Sequence, residues 1–204
     1  MNEAQANLAR YARALNTRNV QGRALPAIVL MSDDAREADW AAAVAALPQR
    51  SAVIVRHRDE KHRERLVRQL RPVCRARCVA LLVADDAALA LRTGADGVHV
   101  PERQLAILPG LRARNAQWLI TCSAHSAAAV RRAATFGADA IFVSPVFATE
   151  SHPDRRALGP TRFAALASEG GAVYALGGID TKTIRRLQAH QIAGIGLIGG
   201  WIRS

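Results

Sequence analysis

The chain has 204 residues, half of them hydrophobic, and 28 Lys and Arg against 17 Asp and Glu give a formal net charge of +11. That length and apolar share can bury a full core as one domain, residues 1–204, and no run of eighteen uncharged apolar residues is present to span a membrane. Three cysteines, Cys74, Cys78 and Cys122, form no disulfide framework and point to a reducing cytoplasm.

Residues 1–20 carry Glu3, Arg10 and Arg13 among alanines, which reads as an amphipathic helix and not a secretion signal. This extra helix is expected to cap the rest of the fold or to meet a partner, so a homo-oligomer stays open. Short apolar runs then recur at 27–31, 52–55, 79–84, 97–100, 118–121, 140–143, 172–176 and 194–198. Helical patterning fills 34–47, 59–75, 86–92, 126–136 and 161–168, with Ser126 and Asp180 as N-cap candidates. Runs apolar on both faces, alternating with helices, have the rhythm of a parallel sheet. Eight of them predict a compact (β/α)8 TIM barrel over 25–202, with a doubly wound open sheet as the alternative. No G-x-G-x-x-G follows the first run, which argues against a dinucleotide site.

In such a barrel, chemistry belongs just beyond the C-terminal ends of the strands. Those positions hold Asp33 and Asp34, Arg58, Asp85 and Asp86, His99, then Ser123 and His125, then Thr149, Ser151 and His152. The last two runs end at Gly177-Gly178 and Gly199-Gly200. Paired glycines let a phosphate approach backbone N–H groups that a Cβ would block, and each pair is expected to lead into a helix. Together they describe an anion-binding mouth, with Arg58 as a bidentate clamp. His125 is the candidate general base or a structural hydrogen-bonding residue; His99 reads first as a core residue. Asp85 is a Mg2+ ligand or a helix cap. Arg63, Arg65, Arg68, Arg71, Arg75 and Arg77 crowd one helix and its exit. A solvated face explains them better than a nucleic-acid patch, because no aromatic interleaving accompanies them. Cys74 and Cys78 lack the further ligands a metal site needs.

Four motifs, in order and spacing, resemble the thiamine phosphate synthase family, which includes the related thiazole tautomerases. They are Gly94-Ala95-Asp96-Gly97-Val98-His99; Cys122-Ser123-Ala124-His125-Ser126; Gly137-Ala138-Asp139 with Ser144-Pro145-Val146-Phe147-Ala148-Thr149; and Ala175-Leu176-Gly177-Gly178-Ile179. The resemblance implies a TIM-barrel enzyme of thiamine biosynthesis that joins hydroxymethylpyrimidine diphosphate to thiazole phosphate with Mg2+, expelling pyrophosphate. By that resemblance Arg58, Ser123, Thr149, Ser151 and the His152 loop contact the diphosphate, Asp85 binds Mg2+, and the glycine turns hold the thiazole phosphate. His125 falls where the tautomerases keep their acid/base.

The chain also departs from the pattern. Glu60 stands for a lysine, Ala84 for an asparagine, Gln104 for the second magnesium aspartate (with Pro101 and Glu102 before it), His152-Pro153 for the loop lysine and Gly199 for a serine. A lost Mg2+ ligand and a reversed charge each weaken diphosphate binding by about 1 kcal/mol or more; Arg56, Arg155 and Arg156 could restore positive charge. Three readings follow: a divergent synthase, an isomerase using His125 without metal, and a non-catalytic binder of phosphorylated ligands or nucleic acid.

Overall fold

The computed structural model describes residues 1–20, 24–34, 38–149, 156–187 and 191–202. Eight parallel strands close into a barrel in chain order: β1 (Ile28–Met31), β2 (Ala52–Val55), β3 (Ala80–Ala84), β4 (Gly97–Val100), β5 (Leu119–Ala124), β6 (Ala140–Val143), β7 (Val173–Leu176) and β8 (Gly194–Leu197). β8 pairs with β1 through Ile28 and Ile195, which completes the ring and leaves no edge. The helices are α1 (Glu3–Asn19), α2 (Trp40–Ala45), α3 (Glu60–Arg77), α4 (Ala87–Thr93), α5 (Leu108–Arg114), α6 (Ala127–Thr135), α7 (Gly159–Ala167) and the single turn α8 (Gly199–Ile202). No described helix is long and apolar enough to cross a membrane.

Strand alternation sorts the side chains into two cores. One set, including Val29, Met31, Ile54, Leu82, Phe142 and Tyr174, fills the barrel interior. The other, including Val53, Leu81, Ile120, Ile141 and Ile195, meets the helices outside. Gly194 and Gly196 on β8 make the interior close: a Cβ at Gly194 would lie 2.5 Å from Tyr174, and one at Gly196 3.0 Å from Phe142. The two aromatic rings pack 5.0 Å apart, and the Tyr174 hydroxyl donates to the Pro26 carbonyl at 2.6 Å.

The two Gly-Ala-Asp motifs are structural. Asp96 accepts the Leu81 N–H and pairs with Arg71, while Asp139 accepts the Ile120 N–H and pairs with Arg112. Each aspartate therefore starts its strand by bonding the one before it in the ring, at the end of the barrel away from the cavities described below. Within the arginine-rich α3, Arg63 and Arg71 bolt the helix to the barrel through Asp86 and Asp96, and Arg68 pairs with Glu64 one turn away.

Several local expectations are corrected. α1 does not lie across the barrel end: Gln5 Nε2 donates to the Trp201 carbonyl beyond β8, and Asn16 Nδ2 to the Ala193 carbonyl before it. The helix runs along the outside of β8, burying Leu8, Ala12 and Leu15. α2 starts at Trp40 and not near 34, because Asp39 takes the Ala42 N–H as its cap. A 3-10 turn (Glu102–Ile107) and α5 join β4 to β5, where no helix was expected. Pro109-Gly110 reads as a breaker, yet a proline in the first turn loses no hydrogen bond. After β7 the Gly177-Gly178 turn leads not into an α-helix but into an Asp180-capped turn and a 3-10 helix (Ile184–Leu187). Ser126 caps α6 as expected.

Candidate functional site

Two cavities open at the C-terminal ends of the strands and share Leu176 in their walls. The first, about 450 Å³, is lined among others by Arg56, Arg58, Asp85, His99, Arg103, Ser123 and His125. The second, about 460 Å³, is lined by Thr149, Gly177, Gly178, Asp180, Thr183, Arg186, Gly199 and Gly200 with their apolar neighbours. Arg58, Asp85, His99, Ser123 and His125 thus share one chamber, while Thr149 lies in the other with the glycine pairs and not beside Arg58; Asp33, Asp34 and Asp86 line neither. Ser151 and His152 lie outside the described residues, as does Arg155.

Strand alternation continues past β2, so Arg56 and Arg58 face the first cavity while His57 between them is buried. The loop after β1 holds them there: Ser32 Oγ accepts the Arg56 N–H at 2.8 Å, and the Asp34 carboxylate accepts the Arg58 N–H at 3.0 Å. Arg56 also lies 3.8 Å from Asp33.

β5 runs three residues further than its apolar run suggested, because Thr121 and Ser123 face the barrel interior and hide the strand behind polar letters. They flank His99 in a buried row. His99 Nδ1 lies 2.9 Å from Thr121 Oγ1, and Nε2 lies 2.9 Å from Ser123 Oγ. Thr121 gives its own proton to the Val98 carbonyl, which can only accept. His99 therefore donates from Nδ1 and accepts the Ser123 hydroxyl proton at Nε2. Ser123 turns oxygen lone pairs, and not its proton, toward the cavity.

Burial pushes the His99 pKa down to about 3, and the Arg56 charge pushes in the same direction. The imidazole is therefore held neutral at physiological pH. Below pH 6.5 the unfolded chain takes up a proton that the folded chain refuses. Stability from this group is complete above about pH 6.5 and falls by about 1.4 kcal/mol per pH unit as pH drops toward 3. His57, lowered chiefly by burial, adds to the same slope. Urea midpoints measured between about pH 7 and 5 should fall steeply for the native chain and less steeply for His99→Gln; equal slopes would refute this assignment.

His125 follows β5, exposed in the cavity wall. Its backbone N–H donates to Glu102 at 2.7 Å, and its Nδ1 donates to the Ser144 carbonyl at 3.2 Å. In the neutral ring Nε2 is then the nitrogen able to take a proton, the geometry a general base requires.

Asp85 stands at the end of β3 with a left-handed φ of 58°, its N–H bonded to the His99 carbonyl. Its carboxylate is paired with Arg103. Arg103 escaped the sequence reading: it neighbours Gln104, the position where the resemblance places a carboxylate, and nothing in the local pattern turns it toward β3. Mg2+ wants hard oxygen ligands, usually one or two carboxylates together with substrate phosphates. Here the chamber presents one carboxylate, already paired with a guanidinium, and the position to which the resemblance gives a second one holds Gln104. The donor set does not fit Mg2+.

The glycines of the second cavity answer to chain packing first. Gly177 (φ 93°) and Gly178 (φ 64°) press on the loop after β6: a Cβ would meet Pro145 at 3.0 Å and the Ala148 carbonyl at 2.4 Å. A Cβ at Gly200 would meet the Ile179 carbonyl at 2.5 Å. Glycine is needed there with or without a ligand. The positive charge in this chamber comes from Arg186, whose guanidinium lies 5.1 Å over the Phe147 ring. The sequence reading passed over Arg186, since it lies well beyond the glycine pair, after Asp180 and Thr183 fold the chain back.

A family profile described as "Thiamine monophosphate synthase" matches residues 27–200. "Putative thiamine-phosphate synthase 2" of Aquifex aeolicus is 34% identical over 152 residues, covering 71% of this chain and 81% of that protein. The Bacillus cereus (strain B4264) protein named thiamine-phosphate synthase is 33% identical over 132 residues, 65% of this chain, and the chain spans 60% of that relative's length. Among solved structures, thiamine phosphate pyrophosphorylase from Pyrococcus furiosus shares the fold with a TM-score of 0.73 at 22% identity, over 90% of this chain and 88% of that one.

Proposed function

The chain belongs to the thiamine monophosphate synthase family, and from that premise we propose that it joins hydroxymethylpyrimidine diphosphate to thiazole phosphate and releases pyrophosphate. The observation that carries this reading is the pair of chambers meeting at Leu176, one lined by arginines and one by glycines and Arg186. A two-substrate condensation needs two anion sites whose reactive ends meet, and holding both partners in contact supplies much of the rate.

Arg58 and Arg56 bind the diphosphate and stabilise the charge that grows on it as the carbon–oxygen bond breaks. Ser123, its proton held by His99, offers an acceptor to the pyrimidine partner. The second chamber holds the thiazole phosphate between Arg186, Thr149 and the backbone at Gly177, Gly178, Gly199 and Gly200. The thiazole nitrogen then attacks from the side of Leu176, forming the carbon–nitrogen bond. No step is assigned to Mg2+, since the donor set does not fit it. The substrates are small and phosphorylated.

Incubating the protein with both substrates and measuring thiamine phosphate and pyrophosphate tests this directly. Equal yields of the two products are expected; no product, with both substrates shown to bind, would refute it. His125→Ala is expected to slow the coupling by less than about tenfold. A loss of about 10²–10⁴-fold would instead mark proton transfer at Nε2 as essential to the coupling.

A further inference from the structure

We propose that the first chamber binds its diphosphate on guanidinium groups alone, with Arg103, tethered by Asp85, supplying the cationic charge that a divalent metal would otherwise bring. The inference rests on the reading of this chamber as the diphosphate site and adds how the anion is recognised. Three arginines, Arg56, Arg58 and Arg103, line the chamber against the single carboxylate Asp85. They arrive from two sides: Arg56 and Arg58 from the end of β2, and Arg103 from the 3-10 turn after β4. Asp85 stands between those strands, fixed through its N–H to the His99 carbonyl at 2.9 Å, and so anchors Arg103 over the chamber.

The pair is suited to exchange. The Arg103 side chain is 66% exposed and that of Asp85 35%, and ion pairs this wet contribute little net stability. An incoming polyanion can take over the Arg103 guanidinium at small cost, and a planar fork suits two phosphate oxygens. A divalent cation faces the opposite balance. It would have to dehydrate and sit beside three guanidinium groups with one carboxylate to hold it. Gln104, which follows Arg103, offers only a neutral carbonyl to it.

The test is calorimetry of inorganic pyrophosphate binding to the full chain, once with EDTA and once with millimolar Mg2+. Pyrophosphate should bind in EDTA with an affinity no weaker than in Mg2+, and Mg2+ alone should give no binding heat. Arg103→Ala should weaken pyrophosphate binding in EDTA by about ten- to hundredfold, and Asp85→Asn, which removes the tether but keeps the guanidinium, should weaken it less. Arg103→Gln, with thermal midpoints for every variant, separates lost charge from lost folding. Binding that appears only with Mg2+ and vanishes in Asp85→Asn would overturn the proposal and leave the diphosphate site standing. Failure to bind under either condition would overturn both.

Discussion

Gly97→Ala is expected to destabilise the barrel severely. A Cβ at this position would lie 2.0 Å from the Leu119 carbonyl oxygen and within 3 Å of two further Leu119 backbone atoms. Gly97 and Leu119 are partners in the β4–β5 ladder, so no side chain can swing aside. The ladder itself must open, and with it the seam that carries His99, Thr121 and Ser123. Domains of this kind hold about 5–15 kcal/mol in total, and backbone strain of this type belongs with the costliest substitutions, about 4–5 kcal/mol. A fall in thermal midpoint of about 10 °C or more should follow. Unfolding curves that superimpose on those of the native chain would show that the strands are not held this close.

Replacing Arg56 and Arg58 together by alanine is expected to weaken pyrophosphate binding by about a hundredfold or more. Each charge-assisted contact contributes about 1.5–3 kcal/mol, and two on one anion do not simply add. The single variants should differ. Removing Arg56 also takes away the guanidinium 3.8 Å from Asp33 and lifts one of the two pressures that keep His99 neutral. Removing Arg58 deletes a side chain with no carboxylate partner among the described residues, so its effect should be confined to the ligand. Calorimetry, with circular dichroism to confirm the fold, reads both. Undiminished affinity in the double variant would place the anion elsewhere.

The barrel was legible because its strands are buried on both sides and so appear as unbroken apolar runs; β2, β4 and β6 fall where those runs lie. Helix starts were legible where a capping side chain precedes the helix, as at Asp59, Asp86 and Ser126. The pattern failed where polar residues point into the barrel. The apolar run stops at Thr121, although β5 continues through Ser123 to Ala124 and brings the His99 row together.

The local order of residues determined the closed eight-stranded architecture, the rim on which Arg58, Asp85, Ser123 and His125 are found, and membership of the family through four spaced motifs. Those features depend on periodicity and short-range chemistry, which a linear string records. Tertiary structure alone decided the rest. It made Gly177, Gly178 and Gly97 compulsory through contacts with chain segments 22 to 32 positions away. It set His99 between two hydroxyls and fixed where its protons lie. It also delivered Arg103 to Asp85, eighteen residues earlier. Such pairings form when strands close in register around a ring, and no window along the sequence contains both partners.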